Sequence, residues 1–155
     1  MIPELLAAQK AYFKTGETKS LSFRKTMLKR LKIELIKRES AISSALFEDF
    51  KKPAFESYAT EIAMVISELD LTIKKLSKWA KPKRVAPALL NFPSSAKIYS
   101  EPYGNTLIIS PWNYPYQLAL APLVAAIAAG NTVILKPSEL TPNTSNIIED
   151  IISTV

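Results

Sequence analysis

Thr106-Leu107-Ile108-Ile109-Ser110-Pro111-Trp112-Asn113-Tyr114-Pro115 and, downstream, Thr132-Val133-Ile134-Leu135-Lys136-Pro137-Ser138-Glu139 decide how this chain folds. Each stretch opens with β-branched, apolar residues and stops at a proline, which reads as a strand and its end. Between them, residues 115–129 are alanine-rich, open with Pro115 at a first-turn position and stop at Gly130-Asn131, which reads as a helix. Strand, turn, helix, strand is a βαβ crossover. Its strands are parallel, so both motifs fall just past their carboxyl ends, the edge where open α/β sheets bind ligands.

The side chains at that edge suit a nucleotide. Asn113 carries a neutral amide NH2 able to donate to a developing oxyanion. Lys136 offers a compact ammonium to ribose hydroxyls or phosphate. Glu139, when ionised, only accepts hydrogen bonds, as a sugar diol requires. Structural readings stand beside these. Asn113 is also a common turn residue, Ser138 or Thr141 a common helix cap with Glu139 complementing the dipole, and Lys136 an ordinary solvated strand end.

Taken together, Tyr103 to Pro115 and Lys136-Pro137-Ser138-Glu139 resemble the aldehyde dehydrogenase superfamily, and most of all its class 3, fatty-aldehyde branch. The likeness extends over the whole chain, including Leu89-Leu90-Asn91-Phe92-Pro93. The resemblance implies oxidation of an aldehyde to a carboxylic acid with NAD, NADP being possible, in a homodimer. It implies that Asn113 stabilises the oxyanion. Lys136 and Glu139 would hold the adenosine ribose, while Ile109, Ser110, Pro111 and Trp112 line the cofactor. A carboxylate at Glu139 disfavours a 2′-phosphate and so mildly favours NAD. The family's glycine-rich turn, general-base glutamate and nucleophilic cysteine fall beyond Val155, so the match is to the N-terminal third, inactive by itself. The alternative is a truncated, non-catalytic relative acting as a nucleotide-binding or protein-interaction module.

Outward from the crossover, residues 144–153 read as a last helix and Ala96 to Glu101 as a strand before the turn Pro102-Tyr103-Gly104-Asn105. Lys81 to Pro93 reads as a connector stiffened by Pro82, Pro87 and Pro93. Upstream all is helical: residues 3–14, 21–38, a third helix capped by Ser40 and closed by Lys51-Lys52-Pro53, and 55–79. In the last, Tyr58, Ile62, Val65, Leu69, Ile73 and Leu76 alternate steps of three and four on one face, and Glu61, Glu68, Asp70, Lys74, Lys75 and Lys78 occupy the other. The fold class is α/β. N-terminal helices are followed by a β-hairpin and the first βαβα part of a Rossmann-like parallel sheet, an incomplete aldehyde dehydrogenase fold by resemblance. Residues 1–94 form the helical region and connector; residues 95–155 hold the hairpin and the start of the NAD-binding domain. Pro122 is expected to bend helix 115–129; that helix and the strand from Val133 are apolar on nearly every side, so the chain is expected to expose a large apolar patch and self-associate.

Composition excludes several chemistries. The 155 residues contain no cysteine and no histidine. Disulfides, Cys/His zinc sites and Ser-His-Asp or Cys-His catalysis are therefore out, and no metal is expected. Three glycines, Gly16, Gly104 and Gly130, are too scattered for G-x-G-x-x-G or a P-loop. The net charge of +6 is concentrated in residues 1–84, with 18 basic against 10 acidic side chains. These interleave along helices as solvated faces, so no nucleic-acid partner is expected. The N-terminal residues lack a signal-peptide pattern. The longest apolar run, Leu118 to Ala129, is too short for a membrane span, and a cytoplasmic protein is expected.

Overall fold

The computed structural model describes residues 2–155. Helix α1 (Ile2–Lys14) ends at Gly16 and is followed by a 3-10 turn, Glu17–Lys19. Helix α2 (Leu21–Lys37) starts at Ser20, whose hydroxyl accepts from the Phe23 N–H as the N-cap. Helix α3 (Glu39–Phe50) comes after one non-helical residue, Arg38. Ser40 therefore sits inside α3 and does not cap it; the break between the helices is Arg38 itself. Lys51, at φ 57°, closes α3 in the left-handed conformation.

The segment read as one helix over 55–79 is three joined pieces. These are α4 (Ala54–Ser57), a π-helical turn (Tyr58–Ile62) and α5 (Ala63–Trp79). The wide turn carries one residue more than an α-helical turn and so rotates the face of α4 relative to that of α5. Ile62, Val65, Leu69 and Leu76 face the core as expected. Tyr58 swings out to solvent, Ser57 turns inward, and Glu61 is fully buried. The placement of Glu61 on the solvated face is thereby corrected.

Strand β1 (Lys83–Val85) pairs antiparallel with β2 (Ala96–Ile98), Arg84 opposite Lys97. The hairpin thus borrows its first strand from the stretch read as connector and straddles residue 94. Strand β3 (Asn105–Ile109), helix α6 (Pro115–Ala129) and strand β4 (Thr132–Lys136) form the crossover, and helix α7 (Pro142–Thr154) comes last. β3 and β4 are parallel, with Asn105 opposite Thr132 and Ile109 opposite Lys136.

Helix α6 lies between the helical layer and this two-stranded sheet, touching α2, α5 and α7 on one side and β3 and β4 on the other. Helix α1 packs against the sheet as well. The core joins Leu28, Leu31 and Leu35 of α2 to Leu69 of α5, Leu120 and Val124 of α6 and Ile148 of α7. The expected apolar patch does not lie on α6, seven of whose residues are buried, nor openly on β4, whose Val133, Ile134 and Leu135 are half-buried. The apolar surface that remains open belongs to β3, where Leu107 and Ile109 are 61% and 68% exposed, and to Leu89, Leu90 and Phe92 of the hairpin loop. Gly130 ends α6 at φ 93°, and a Cβ there would stand 2.9 Å from the Thr18 carbonyl oxygen. Asn131 then ties the helix end to β3 by accepting from the Gly104 N–H at 2.9 Å.

Candidate functional site

The parallel register brings both sequence motifs to one edge. The Ser110 N–H donates to the Lys136 carbonyl at 3.1 Å, so the two strands end side by side. Beyond them, residues 110–114 and 137–141 form neighbouring loops. Asn113 lies in the turn between β3 and α6, exposed, with Trp112 and Tyr114 beside it. Lys136 and Glu139 lie at the end of β4, both exposed, and pair with each other. The Lys136 hydrogen bond, ahead of a backbone N–H, holds the Glu139 carboxyl below its ordinary range, so it is an acceptor at neutral pH. Ile109, Ser110, Pro111 and Trp112 complete the same edge, and Ile109 stands directly across from Lys136.

Both loops are anchored by carboxylates from the helical layer. Helix α6 begins Tyr114-Pro115 without a side-chain cap of its own. Its next two N–H groups, of Tyr116 and Gln117, donate to one oxygen of Glu61 at 2.9 and 3.2 Å. The other oxygen of Glu61 accepts from Lys52 Nζ at 2.5 Å. That ammonium also lies 4.6 Å from the Tyr114 ring centre and 5.6 Å from that of Phe50. Helix α7 repeats the arrangement. It begins Thr141-Pro142, again without a side-chain cap, so the role given to Ser138 or Thr141 passes to another residue. Asp49 of α3 accepts from the Asn143 and Thr144 N–H groups at 3.1 and 2.8 Å, and from both their side chains. Burial raises the Asp49 carboxyl, but the hydrogen bonds from Thr144 and Asn143 together outweigh it and leave the group below its ordinary range.

A depressed folded-state value means that Asp49 contributes stability above its unfolded pKa, about 3.9, and that this is lost as the carboxylate protonates below it. Asp49→Asn is expected to lower stability by about 1 kcal/mol near neutral pH, the usual worth of a helix cap. Urea denaturation of both proteins from pH 7 to pH 3 checks the sign: the gap should close as pH falls. A gap that widens in acid would show that the carboxylate is not the capping species.

Because Glu61 occupies the N-terminus of α6, no phosphate can take the place it has in a dinucleotide fold whose first helix faces the ligand. The charged side chains left free of a helix end at this edge are Lys136 and Glu139, an ammonium donor and a carboxylate acceptor. The Ser110 hydroxyl is buried and has no partner among the described residues, an unpaired polar atom just beneath this edge. The same residues hold no cluster of acids that would bind a metal ion, and no helix among them is long and apolar enough to cross a membrane.

The profile of the aldehyde dehydrogenase family matches residues 2–155. The chain belongs to this family. It is 48% identical over 144 residues to the 4,4′-diaponeurosporen-aldehyde dehydrogenase of Staphylococcus aureus, covering 93% of this chain and 31% of the relative. To mouse aldehyde dehydrogenase family 3 member B1 it is 44% identical, covering 90% of this chain and 30% of the relative. The substrate-bound structure of Staphylococcus aureus AldH superposes with a TM-score of 0.97 at 45% identity, over 99% of this chain and 34% of the other. The chain thus spans about a third of the length of the aldehyde dehydrogenases it matches. Among the similar solved structures, a succinic semialdehyde dehydrogenase from Streptococcus pyogenes is in complex with NADP+ and an AldC mutant from Pseudomonas syringae with NAD+ and octanal. Sequence reasoning missed Lys52, Glu61 and Asp49, which hold the site loops. Each reaches its loop across a long stretch of chain, and no local pattern marks it.

Proposed function

We propose that this chain is the N-terminal part of an NAD(P)-dependent aldehyde dehydrogenase that oxidises an aldehyde to the carboxylic acid. The observation that supports it best is the meeting of the Asn113 turn with Lys136 and Glu139 at one sheet edge in a member of that family. In this reading the Asn113 amide donates to the oxyanion that forms when a cysteine thiolate outside these residues attacks the aldehyde. Lys136 donates to the adenosine ribose and the Glu139 carboxylate accepts from its diol. Ile109, Ser110, Pro111 and Trp112 wall the cofactor. When bound, NAD(P) supplies the hydride acceptor. The protein works in the cytoplasm as a homodimer. In support, β3 exposes Leu107 and Ile109 and each strand of the pair has an unpaired edge, surface that self-association covers. Sedimentation of the 155 residues as a clean monomer would count against that part of the reading.

The test is aldehyde-dependent reduction of NAD by the polypeptide of the complete reading frame, across aldehydes of several lengths. No reduced nicotinamide with any of them would sink the proposal. Glu139→Gln is expected to raise the KM for NAD about tenfold, the worth of one hydrogen bond to a charged group, and to narrow the preference over NADP. An unchanged NAD/NADP ratio would remove Glu139 from the ribose site. The alternative, a truncated relative that binds nucleotide or protein without catalysis, gains support if the natural frame ends at Val155.

A further inference from the structure

We infer that Lys52 and Glu61 are positioning residues for Asn113, an assignment that rests on the oxyanion role just proposed for that amide. The side chain of Asn113 makes no hydrogen bond within the described residues, so only its backbone fixes where the amide points. That backbone is an arch with two feet. The first is Ser110, whose N–H is tied to the Lys136 carbonyl at 3.1 Å. The second is the start of α6, where Tyr116 and Gln117 donate to Glu61. Pro111 and Pro115 restrict the span further by locking φ.

Glu61 fixes the start of α6, and the Leu118 N–H holds the Tyr114 carbonyl at 2.9 Å, but neither holds the Tyr114 ring. Lys52 supplies that link. Its ammonium bonds the free oxygen of Glu61 at 2.5 Å and lies 4.6 Å from the ring centre of Tyr114, the immediate neighbour of Asn113. One buried cation therefore holds both the carboxylate that anchors the helix and the aromatic ring that ends the turn. The π-helical turn over Tyr58–Ile62 makes this possible by bringing Glu61 into the interior. Lys136 and Glu139 stand on the other loop, whose helix is anchored separately by Asp49. Disturbing Lys52 is thus expected to affect the oxyanion amide and spare the ribose-binding pair.

Lys52→Met tests this, with Lys52→Arg as the charge-conserving variant. Ile151→Val, a core trim on α7, serves as a control for general loss of stability. On the 155-residue chain, Lys52→Met is expected to speed amide exchange at Tyr116 and Gln117 about tenfold while leaving Asn143 and Thr144 unchanged. In the polypeptide of the complete reading frame, kcat for aldehyde oxidation is expected to fall about tenfold to a hundredfold, with the KM for NAD unmoved. Lys52→Arg should recover most of it. Several results would overturn the assignment. These are a kcat loss matched by Ile151→Val at equal melting temperature, a cofactor KM that rises in step, or no recovery with arginine. A wild-type polypeptide that oxidises no aldehyde defeats the functional reading alone. The exchange comparison then still decides whether the pair anchors the turn, and unchanged rates at Tyr116 and Gln117 would show that it does not.

Discussion

Glu61→Ala is expected to cost the fold about 3–5 kcal/mol, the price of leaving one member of a buried ion pair behind. Glu61 is fully buried and Lys52 is 9% exposed, so water screens neither. Removing the carboxylate strands an ammonium among Phe50, Tyr114 and the start of α6. It also leaves the Tyr116 and Gln117 N–H groups without their acceptor. Cation–π attraction to the two rings offsets little of this, since such contacts contribute about 1–2 kcal/mol. Against a total stability of about 5–15 kcal/mol for a domain, that is a severe lesion. The pair itself need not be stabilising, because both ions were taken from water to make it. Lys52→Met combined with Glu61→Gln should therefore recover a good part of the loss, since no charge is then stranded and the amide oxygen still accepts from α6. Urea midpoints of the wild type, Lys52→Met, Glu61→Gln and the double variant close the cycle, with Glu61→Ala measured beside them. A loss below about 1 kcal/mol for Glu61→Ala, the level of an average substitution, would mean that water reaches Lys52.

The second expectation concerns chemistry. The 155 residues alone should give no aldehyde-dependent reduction of NAD or NADP, even at high protein concentration. The family reaction starts from a covalent adduct, which a thiolate forms near neutral pH because its pKa lies close to ambient. No cysteine is present to do this, and no histidine to activate a serine. An imine on Lys136 would carry no oxyanion from which hydride leaves. In the proposed role the Asn113 amide would contribute about 3 kcal/mol of oxyanion stabilisation, against the roughly 8 kcal/mol or more that enzymes supply in total. In the polypeptide of the complete reading frame, Asn113→Ala should lower kcat by about a hundredfold to a thousandfold. KM should change little, because the oxyanion exists only after attack. Steady turnover by the isolated chain, abolished by Asn113→Ala, would contradict the first half. A kcat unchanged by the substitution would contradict the second.

The β/α half was readable because its signals are local. Thr106 to Ile109 and Thr132 to Leu135 are β-branched runs, and Pro115, Gly130 and Asn131 punctuate the helix between them. That was enough to set Asn113 in a turn and Lys136 on the same edge. The helical half was readable in its lengths but not in its phase. Periodicity arguments assume 3.6 residues per turn, and the π-helical turn over Tyr58–Ile62 breaks that assumption where it matters most. Glu61 was therefore counted as a solvated acid. The anchors of the two site loops were invisible for a different reason. Glu61 reaches Tyr116 across 55 residues, and Asp49 reaches Thr144 across 95. A cap supplied from that distance leaves no trace in the sequence beside the helix. The three-residue strand Lys83–Val85 was too short for alternation to register among its prolines.

The far end of α6 is closed in the same manner as its start: Arg24 of α2 donates to the Ala128 carbonyl at 2.8 Å. With Glu61 at one terminus, Arg24 at the other and Asp49 on α7, all three charges that complement these helices come from residues before 95. The crossover is consequently not a portable module. Grafted onto another leader, residues 95–155 would carry their strands, prolines and edge side chains intact, yet arrive with both poles of α6 and the head of α7 bare. A designer who wants the site must transplant the scaffold's electrostatics with it, down to one buried lysine in the helical layer.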